Sequence, residues 1–342
     1  MNPKASHTVH FSLMGLLLAA AFLLNLGLGS ASIPFSDTLS ILFGGEGSGE
    51  SWRYIIWEYR LPKALTAVLA GGGLALSGLL MQTFFRNPLA GPFVLGISSG
   101  ASLGAALLIL GASLLPWSAA FLLSDASLAV ASSLGSFAVL AVVLAVSVRL
   151  KDAMALLIVG LMFGSITGAL VTVLASFSQA EALQQFVFWS YGSVGNLSWE
   201  QLGLLLVLCL AGGIMALSQI KGLNALLLGE KYATSMGTSL PRLRFWVILA
   251  TGILAGGITA FTGPIAFIGL AVPHLARLWL TTSDHRRLFP AVLIVGASLM
   301  LICDTVAQLP YSSYVLPINA ITSVIGAPVV IWLLLRRSKM LF

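Results

Sequence analysis

Charged residues are scarce in this chain: they make up 8% of its 342 residues, whereas an ordinary soluble domain has about 25%. Cysteine is nearly absent as well, since only Cys209 and Cys303 occur, both inside apolar runs. No disulfide framework or metal cluster can be built from two such residues. The Walker A and HExxH patterns do not occur either. These shortages exclude a water-soluble enzyme, a disordered chain, a nucleic-acid-binding protein and a protein with its own nucleotide site.

Apolar residues dominate what remains, because 58% of the chain is hydrophobic. A helix needs about 20 apolar residues to cross a bilayer. Apolar runs cover residues 11–30, 63–83, 94–112, 126–149, 153–176, 199–219, 244–263, 265–280, 288–306 and 315–335. They predict an all-α integral membrane protein with about ten transmembrane helices, in one domain over residues 1–342. No small-residue cleavage pattern follows the first run, so we expect it to be a retained helix rather than a signal peptide.

Basic residues divide unequally between the two sides of this ten-helix arrangement. Of the 17 lysines and arginines, only Arg53, Arg60 and Lys63 face one side, and the other fourteen lie with both termini on the opposite side. Loops rich in lysine and arginine stay in the cytoplasm. Both termini are therefore predicted to be cytoplasmic. The longest outer loop then covers about 31–62 and the longest inner loop about 220–243.

The inner loop over 220–243 is interrupted by glycines. Gly229 and Gly237 bound two short helices, which we predict at about 223–228 and 230–236. A broken helical hairpin of this kind is either a solvated loop or a segment that inserts into a cleft of a partner protein.

Helix-breaking residues mark the inner end of the second run: Asn87, Pro88, Gly91 and Pro92. Non-helical backbone at membrane depth persists only where it is buried in protein or lines a cavity. The residues alone favour a packing turn over a functional one.

Two other features also allow two interpretations. Gly160, Gly164 and Gly168 repeat every four residues in the fifth run, a spacing that lets helices approach closely. Arg60 and Lys63 flank a proline at the outer start of the second run. They either anchor the helix at the membrane interface or offer docking cations to an outer partner.

Asp304 is the one acidic residue placed well inside an apolar run, since Glu200 stands at the very start of its run. An intramembrane carboxylate is costly and is usually paired or functional. Gln308 lies four residues further on the same helix face and can hydrogen-bond it. The alternative role is the proton site of a secondary transporter. Neither His274 nor His285 has a second ligand at metal-binding spacing. We expect His274 to be a packing residue and His285 to be ordinary basic loop chemistry.

Several long segments carry a family signature: RLPKALTAVLAGGGLALSGLLMQTFFRNPLAGPFVLGISSGAS, LLLGEKYATSMGTSLPRLR, GPIAFIGLAVPHLARLWLTTSDHRRLFP and the stretch over 302–335. In this order they resemble the permease subunits of bacterial ABC importers for iron–siderophore complexes, haem and cobalamin. The resemblance implies a two-fold pair of ten-helix subunits around a central translocation path. It also implies two cytoplasmic ATPase subunits, which bind ATP and Mg²⁺, and a periplasmic substrate-binding protein. No cofactor or metal is expected on this chain itself.

The same resemblance implies roles for particular residues. Arg60 and Lys63 would dock the binding protein, and the glycines at 160, 164 and 168 would line the path. The inner turn at Ala153 and Met154 would form the gate. The contacts with the ATPase would come from Leu228, Gly229, Glu230, Ala233 and Gly237. Gln308 departs from the family, which commonly has arginine at that position.

We therefore expect a multi-pass permease of the bacterial inner membrane that moves a metal chelate from periplasm to cytoplasm by alternating access. The chain itself would catalyse nothing. The alternative is an ion- or proton-coupled secondary transporter that uses Asp304. An intramembrane enzyme is disfavoured, because the sequence has no paired carboxylates, Ser/His pair or metal set.

Overall fold

The computed structural model describes residues 3–29, 31–45, 49, 51–112, 124–150, 152–309 and 314–335. Within these ranges every regular element is helical. The helices are α1 (Pro3–Gly27), α2 (Phe35–Leu42), α3 (Trp52–Phe84), α4 (Ile97–Ala112), α5 (Asp125–Arg149), α6 (Ala153–Ser176), α7 (Ala180–Ser190), α8 (Trp199–Ser218), α9 (Ile220–Leu227), α10 (Glu230–Ser235), α11 (Leu240–Thr262), α12 (Ile268–Leu280), α13 (His285–Ala307) and α14 (Ile318–Leu335).

Seven of these helices are long and apolar enough to cross a membrane: α1, α3, α5, α6, α8, α11 and α13. Three more are apolar but shorter: α4, α12 and α14. Each of the ten predicted apolar runs coincides with one of these ten helices. The all-helical membrane class is thereby confirmed.

Helix α3 begins earlier than the sequence predicts. We expected the second run to start at Lys63, after Pro62, but the helix starts at Trp52. Its first part contains a wider π-helical stretch over Ile55–Arg60. Proline has no N–H to donate, and a local π turn is one way for a helix to absorb that missing hydrogen bond. As a result, part of the predicted outer loop over 31–62 is helical.

Hydrogen bonds between helix ends define two opposite ends of the bundle. At one end, Asn25 near the end of α1 donates to Asp304 near the end of α13 over 2.8 Å. We call this the Asp304 end. At the other, Thr83 near the end of α3 lies 2.9 Å from His285 at the start of α13. We call this the His285 end. Helices α1 and α13 therefore run from the His285 end to the Asp304 end, and α3 runs in the opposite direction.

The His285 end carries most of the basic residues that the structure describes. Arg244, at the start of α11, donates to the carbonyl oxygens of Ser147 and Leu150 at the end of α5. The basic residues in this region are Arg86, Arg149, Lys221, Lys231, Arg242, Arg244, Arg277, Arg286 and Arg287. At the Asp304 end the described basic residues are Arg53, Arg60 and Lys63. The division of charge follows the one expected from the sequence.

The centre of the bundle is formed by α3 and α13. Their axes approach so closely at Gly71 and Gly296 that a Cβ added at either glycine would overlap the carbonyl region of the other. In the most apolar stretch of α3, 83% of the residues are buried, whereas in the corresponding stretch of α6 only 17% are. The fold therefore has a densely packed inner pair and an outer helix, α6, that presents most of its apolar side chains outward.

Candidate functional site

A helical hairpin projects at the His285 end, made of α9 and α10. The two predicted short helices are confirmed, at Ile220–Leu227 and Glu230–Ser235. Gly229 and Gly237 have φ angles of +108° and +83°, in the left-handed region that favours glycine. These two residues end one helix each and turn the chain, so the hairpin depends on glycine at both positions.

The exposed side of this hairpin is apolar as well as charged. Leu228, Tyr232 and Met236 are 64%, 50% and 62% exposed, although all three are large hydrophobic residues. Together with Glu230 and Arg86, parts of this surface border an open cleft of about 700 Å³. Exposed apolar side chains rimmed by polar residues are typical of a protein-binding surface.

Ala233 is an exception among the predicted contact residues of the hairpin. Its side chain is fully buried, and its carbonyl oxygen accepts a hydrogen bond from the Thr238 N–H over 2.9 Å. A residue whose small side chain packs inward cannot present that side chain to a partner. The side chain of Ala233 is therefore not the partner contact that we expected. Instead, Ala233 packs inside the hairpin and stabilises it.

A polar cluster that was not predicted lies beneath the hairpin: Thr83 and His285 are buried in it, and Asn224 and Asp284 are half-buried. Asn224 of α9 donates to Asp284 over 2.7 Å and lies 2.7 Å from the Nδ1 atom of His285. The other ring nitrogen of His285 lies 2.9 Å from the Thr83 hydroxyl. The expectation that His285 is an ordinary loop residue is wrong, because it is buried as the first residue of α13.

Asp284 is the N-cap of α13, and its environment favours the ionised carboxylate. Burial alone would raise the pKa of Asp284. The Arg286 backbone N–H, the Asn224 amide and the charges of Arg286 and Arg287 outweigh burial and lower the pKa below its ordinary value of 3.8. An aspartate just before a helix is a recognisable capping signal in the sequence. Its partnership with Asn224, sixty residues earlier, left no such signal.

The predicted turn over Asn87–Pro92 makes hydrogen bonds within the subunit, which the packing interpretation requires. The Asn87 side chain accepts a hydrogen bond from the Leu89 N–H over 2.9 Å, and His274 Nε2 lies 2.8 Å from the Pro88 carbonyl oxygen. Gly91 precedes a short 3₁₀ helix over Pro92–Leu95. The packing role expected for His274 is therefore confirmed.

The glycine series on α6 divides into two parts. Gly160 is buried against the backbone of Val94 and Leu95, and a Cβ at Gly164 would lie 3.4 Å from the Ser99 hydroxyl. Gly168 is exposed, with nothing within 4 Å of such a Cβ. The first two glycines thus pack within the subunit, whereas the third faces outward.

The inner end of α6 contains the predicted gate. Met154 is 50% exposed, while the side chain of Ala153 lies outside the described residues. Further along the helix, exposed apolar side chains continue the same outward surface: Ile158, Leu161, Met162 and Ile166. We call this the α6 face.

At the Asp304 end, Asp304 is buried and fully engaged. Lys63 Nζ lies 3.2 Å from its Oδ1 atom, and both Asn25 and Gln308 donate to its Oδ2 atom over 2.8 Å. The predicted hydrogen bond from Gln308 is confirmed. The partners from α1 and α3 were not predicted, since they come from distant parts of the chain. The cluster ties three helices together.

Arg60 does not face outward as expected. It is only 8% exposed, and its guanidinium donates to the carbonyl oxygens of Leu26 over 2.7 Å, of Gly27 over 3.1 Å and of Ala31. The last carbonyl groups of a helix lack partners within it and carry partial negative charge. Arg60 therefore caps the end of α1. Lys63 keeps 19% of its side chain exposed despite its ion pair.

Comparison with known families identifies the chain. A model of the FecCD transport family matches residues 17–336. The chain belongs to the FecCD transport family. The match spans both ends of the bundle, including the hairpin and the Asp304 cluster.

Relatives of known description support this membership over almost the whole chain. The vitamin B12 import system permease protein BtuC of Klebsiella pneumoniae is 38% identical over 323 residues, covering 94% of this chain and 92% of the relative. The hemin transport system permease protein HmuU of Yersinia pestis is 37% identical over 332 residues, covering 96% of each chain. A solved structure of a metal-chelate type ABC transporter in an inward-facing conformation has a TM-score of 0.83 at 34% identity, covering 96% of this chain and 99% of that one.

These relatives are permease proteins of import systems, so this FecCD member is a membrane permease and not an enzyme. It is a multi-pass protein of the cell inner membrane. The expected family and transport class are thereby confirmed.

Proposed function

We propose that the chain works as one of two permease subunits in an ATP-driven importer that moves a metal chelate into the cytoplasm by alternating access. The observation that carries this proposal is the exposed hairpin of α9 and α10 at the basic end of the bundle. The chain has a surface suited to a partner there, and its relatives are named for import.

The sidedness follows from the charge distribution. Ten described basic residues lie near the His285 end, counting Lys4 in the first turn of α1, against three at the Asp304 end. By the positive-inside rule, the His285 end is cytoplasmic and the Asp304 end periplasmic. We further propose that all ten apolar helices traverse the membrane, with both termini in the cytoplasm.

The hairpin is the proposed contact with the ATPase subunit. Leu228, Glu230, Tyr232 and Met236 supply exposed apolar and charged groups, and Gly229 and Gly237 set the turns. ATP and Mg²⁺ would bind to that partner. In the described residues of this chain, no group of three histidine, cysteine or acidic side chains could hold a metal ion.

Replacement of Gly237 tests this contact. The Gly237→Val substitution forces a β-branched residue into a left-handed conformation, which is strongly disfavoured. We expect co-purification of the ATPase subunit and ATP hydrolysis by the complex to fall together, while the permease still inserts into the membrane. Gly237→Asn is the matched control, because asparagine tolerates this conformation. Equal assembly by the valine and asparagine variants would contradict the proposal.

The α6 face is the proposed meeting surface of two copies around the translocation path. It combines exposed apolar side chains with the open position at Gly168. An exposed apolar surface this continuous suits a protein neighbour or a weakly interacting path. Met154 and Ala153 would form the cytoplasmic gate, closing by apolar contact rather than by charge.

The cargo is proposed to be an iron–siderophore complex, haem or cobalamin. Two relatives are named for vitamin B12 and hemin, and the structural neighbour for metal chelates in general. The three proposed cargoes are all large, largely rigid molecules around a bound metal ion.

The Asp304 end is the proposed docking surface for a periplasmic binding protein. Lys63 and Arg53 are its more exposed cations, whereas the buried Arg60 supports the surface from within. Charges at an interface act mainly on association rate and register.

Charge reversal at Arg53 tests the docking surface without disturbing the Asp304 cluster. We expect Arg53→Glu to weaken binding of the cognate binding protein about tenfold, equivalent to about 1.4 kcal/mol, with a shallower dependence on salt. Arg149→Glu, at the opposite end and outside the hairpin, is the control. Affinities that are equal for both variants, measured on the purified transporter, would remove Arg53 from the interface.

A further inference from the structure

The hairpin is joined covalently to only two of the long helices. Helix α8 leads into α9 after a single residue, and α10 is followed by α11 after four residues. A movement of the hairpin would therefore pass through the chain into α8 and α11. The central pair, α3 and α13, has no such covalent link to the hairpin and needs contacts across space.

The Asn224 side chain supplies such contacts, and its orientation is fixed. Its oxygen accepts from the backbone N–H of His285 over 2.9 Å, and a backbone N–H can only donate. The amide nitrogen therefore points to the Asp284 carboxylate, 2.7 Å away. Both sides of the amide are used on the first turn of α13.

The same orientation determines the proton position on the His285 ring. The Asn224 oxygen also lies 2.7 Å from Nδ1, so this nitrogen must carry the proton in the neutral ring. Nε2 then accepts from the Thr83 hydroxyl at 2.9 Å, and the Leu79 carbonyl oxygen, also 2.9 Å from that hydroxyl, competes for its single proton. A continuous series of directed hydrogen bonds thus runs from α9 through the start of α13 to the end of α3.

We propose that Asn224 is a positioning residue that transmits movement of the coupling hairpin to the central α3–α13 pair. The proposal rests on the proposed coupling of this hairpin to an ATPase. Leu223 and Leu226 also attach α9 to the core, but apolar contacts are not directional and permit sliding. The Asn224 amide fixes the register of α9 against α13.

The central pair is well suited to carry that movement across the membrane. It is closely packed at Gly71 and Gly296, and at the far end Lys63 of α3 pairs with Asp304 of α13. A displacement imposed at the His285 end would therefore move both helices as one body toward the periplasmic surface.

Exchanging the amide and the carboxylate between positions 224 and 284 isolates this role of Asn224. Asn224→Asp removes the donor to Asp284 and places two carboxylates together. Adding Asp284→Asn to that variant restores an amide opposite a carboxylate, and asparagine also caps helices well. Asn196→Asp, an exposed site at the opposite end, is the control for the substitution itself.

Hydrogen exchange in the assembled complex with its ATPase provides the measurement, in the nucleotide-free and ATP–vanadate states. In the unaltered protein we expect nucleotide to change exchange at the starts of both α11 and α13. In the Asn224→Asp variant, the change at α13 should fall about fivefold or more. The change at α11 should persist, because that link is covalent. The double variant should recover the response at α13, and Asn196→Asp should keep it.

Three results would overturn the inference: no response at α13 in the unaltered protein, a full response at α13 in Asn224→Asp, or a double variant no better than the single one. A merely structural role would weaken α11 and α13 alike, and that result also counts against the inference. If the unaltered complex neither assembles nor hydrolyses ATP, the proposed function fails first and the inference with it.

Discussion

At the scale of single residues, charge inside the bundle is used to join helices. Asp304 binds Lys63, Asn25 and Gln308, and Arg60 binds two carbonyl groups at the end of α1 and a third in the segment that follows it. The sequence predicted the Gln308 contact, because four-residue spacing is a local signal. It could not predict Lys63 or Asn25, whose approach depends on tertiary packing. Arg60 was misjudged for the same reason.

Removal of the Arg60 side chain tests its capping role. Arg60→Ala would leave the buried carbonyl groups of Leu26 and Gly27 without their donor, and an unsatisfied buried polar group costs about 1–3 kcal/mol. We expect a clear loss of thermal stability in detergent or nanodiscs. Arg53→Ala, which removes an exposed arginine from the same helix, should change stability by less than about 0.5 kcal/mol. Equal effects of the two substitutions would contradict the assigned role of Arg60.

At the scale of helices, the ten apolar runs were predictable and the way they pack was not. Length and hydropathy are properties of each segment alone, so they appear in the sequence. The close approach of α3 and α13 depends on which glycine faces which neighbour. The sequence highlighted the regular spacing at Gly160, Gly164 and Gly168, of which Gly160 does pack closely against Val94, but it did not single out the close approach of Gly71 and Gly296.

Adding a methyl group at Gly71 and at Gly15 should change the stability of the protein in opposite directions. At Gly71 the new Cβ would overlap the backbone of Gly296, and overpacking of this kind costs about 1–3 kcal/mol. Gly71→Ala should therefore destabilise the protein. Gly15→Ala meets nothing within 4 Å, and in a helix alanine is favoured over glycine by about 0.5–1 kcal/mol. The two substitutions should shift the unfolding temperature in opposite directions. A stabilised Gly71→Ala variant would show that the two helices do not pack as described.

At the scale of the whole molecule, the two ends of the bundle differ in charge and in the surfaces that they expose. The His285 end carries the exposed hairpin and most of the described basic residues, and the Asp304 end carries the Asp304 cluster and, apart from it, the buried Arg60. The sequence predicted this polarity because loop charge is countable along the chain. The polar cluster beneath the hairpin could not be predicted from the sequence, since its members come from three separate segments. The rival account, ion-coupled transport through Asp304, requires a carboxylate that can exchange protons, yet Asp304 is held by three partners.

Transport by the assembled system in sealed vesicles tests the central claim most directly. The permease would be reconstituted with its cognate ATPase and binding protein, with no ion gradient present, and a ferric siderophore, haemin and cyanocobalamin would be offered in turn as probes. We expect uptake of at least one probe only when ATP is on the side of the hairpin and the binding protein is on the side of Asp304. Uptake that ignores ATP and follows a proton gradient, or no uptake of any of the three probes with ATP, would contradict the account.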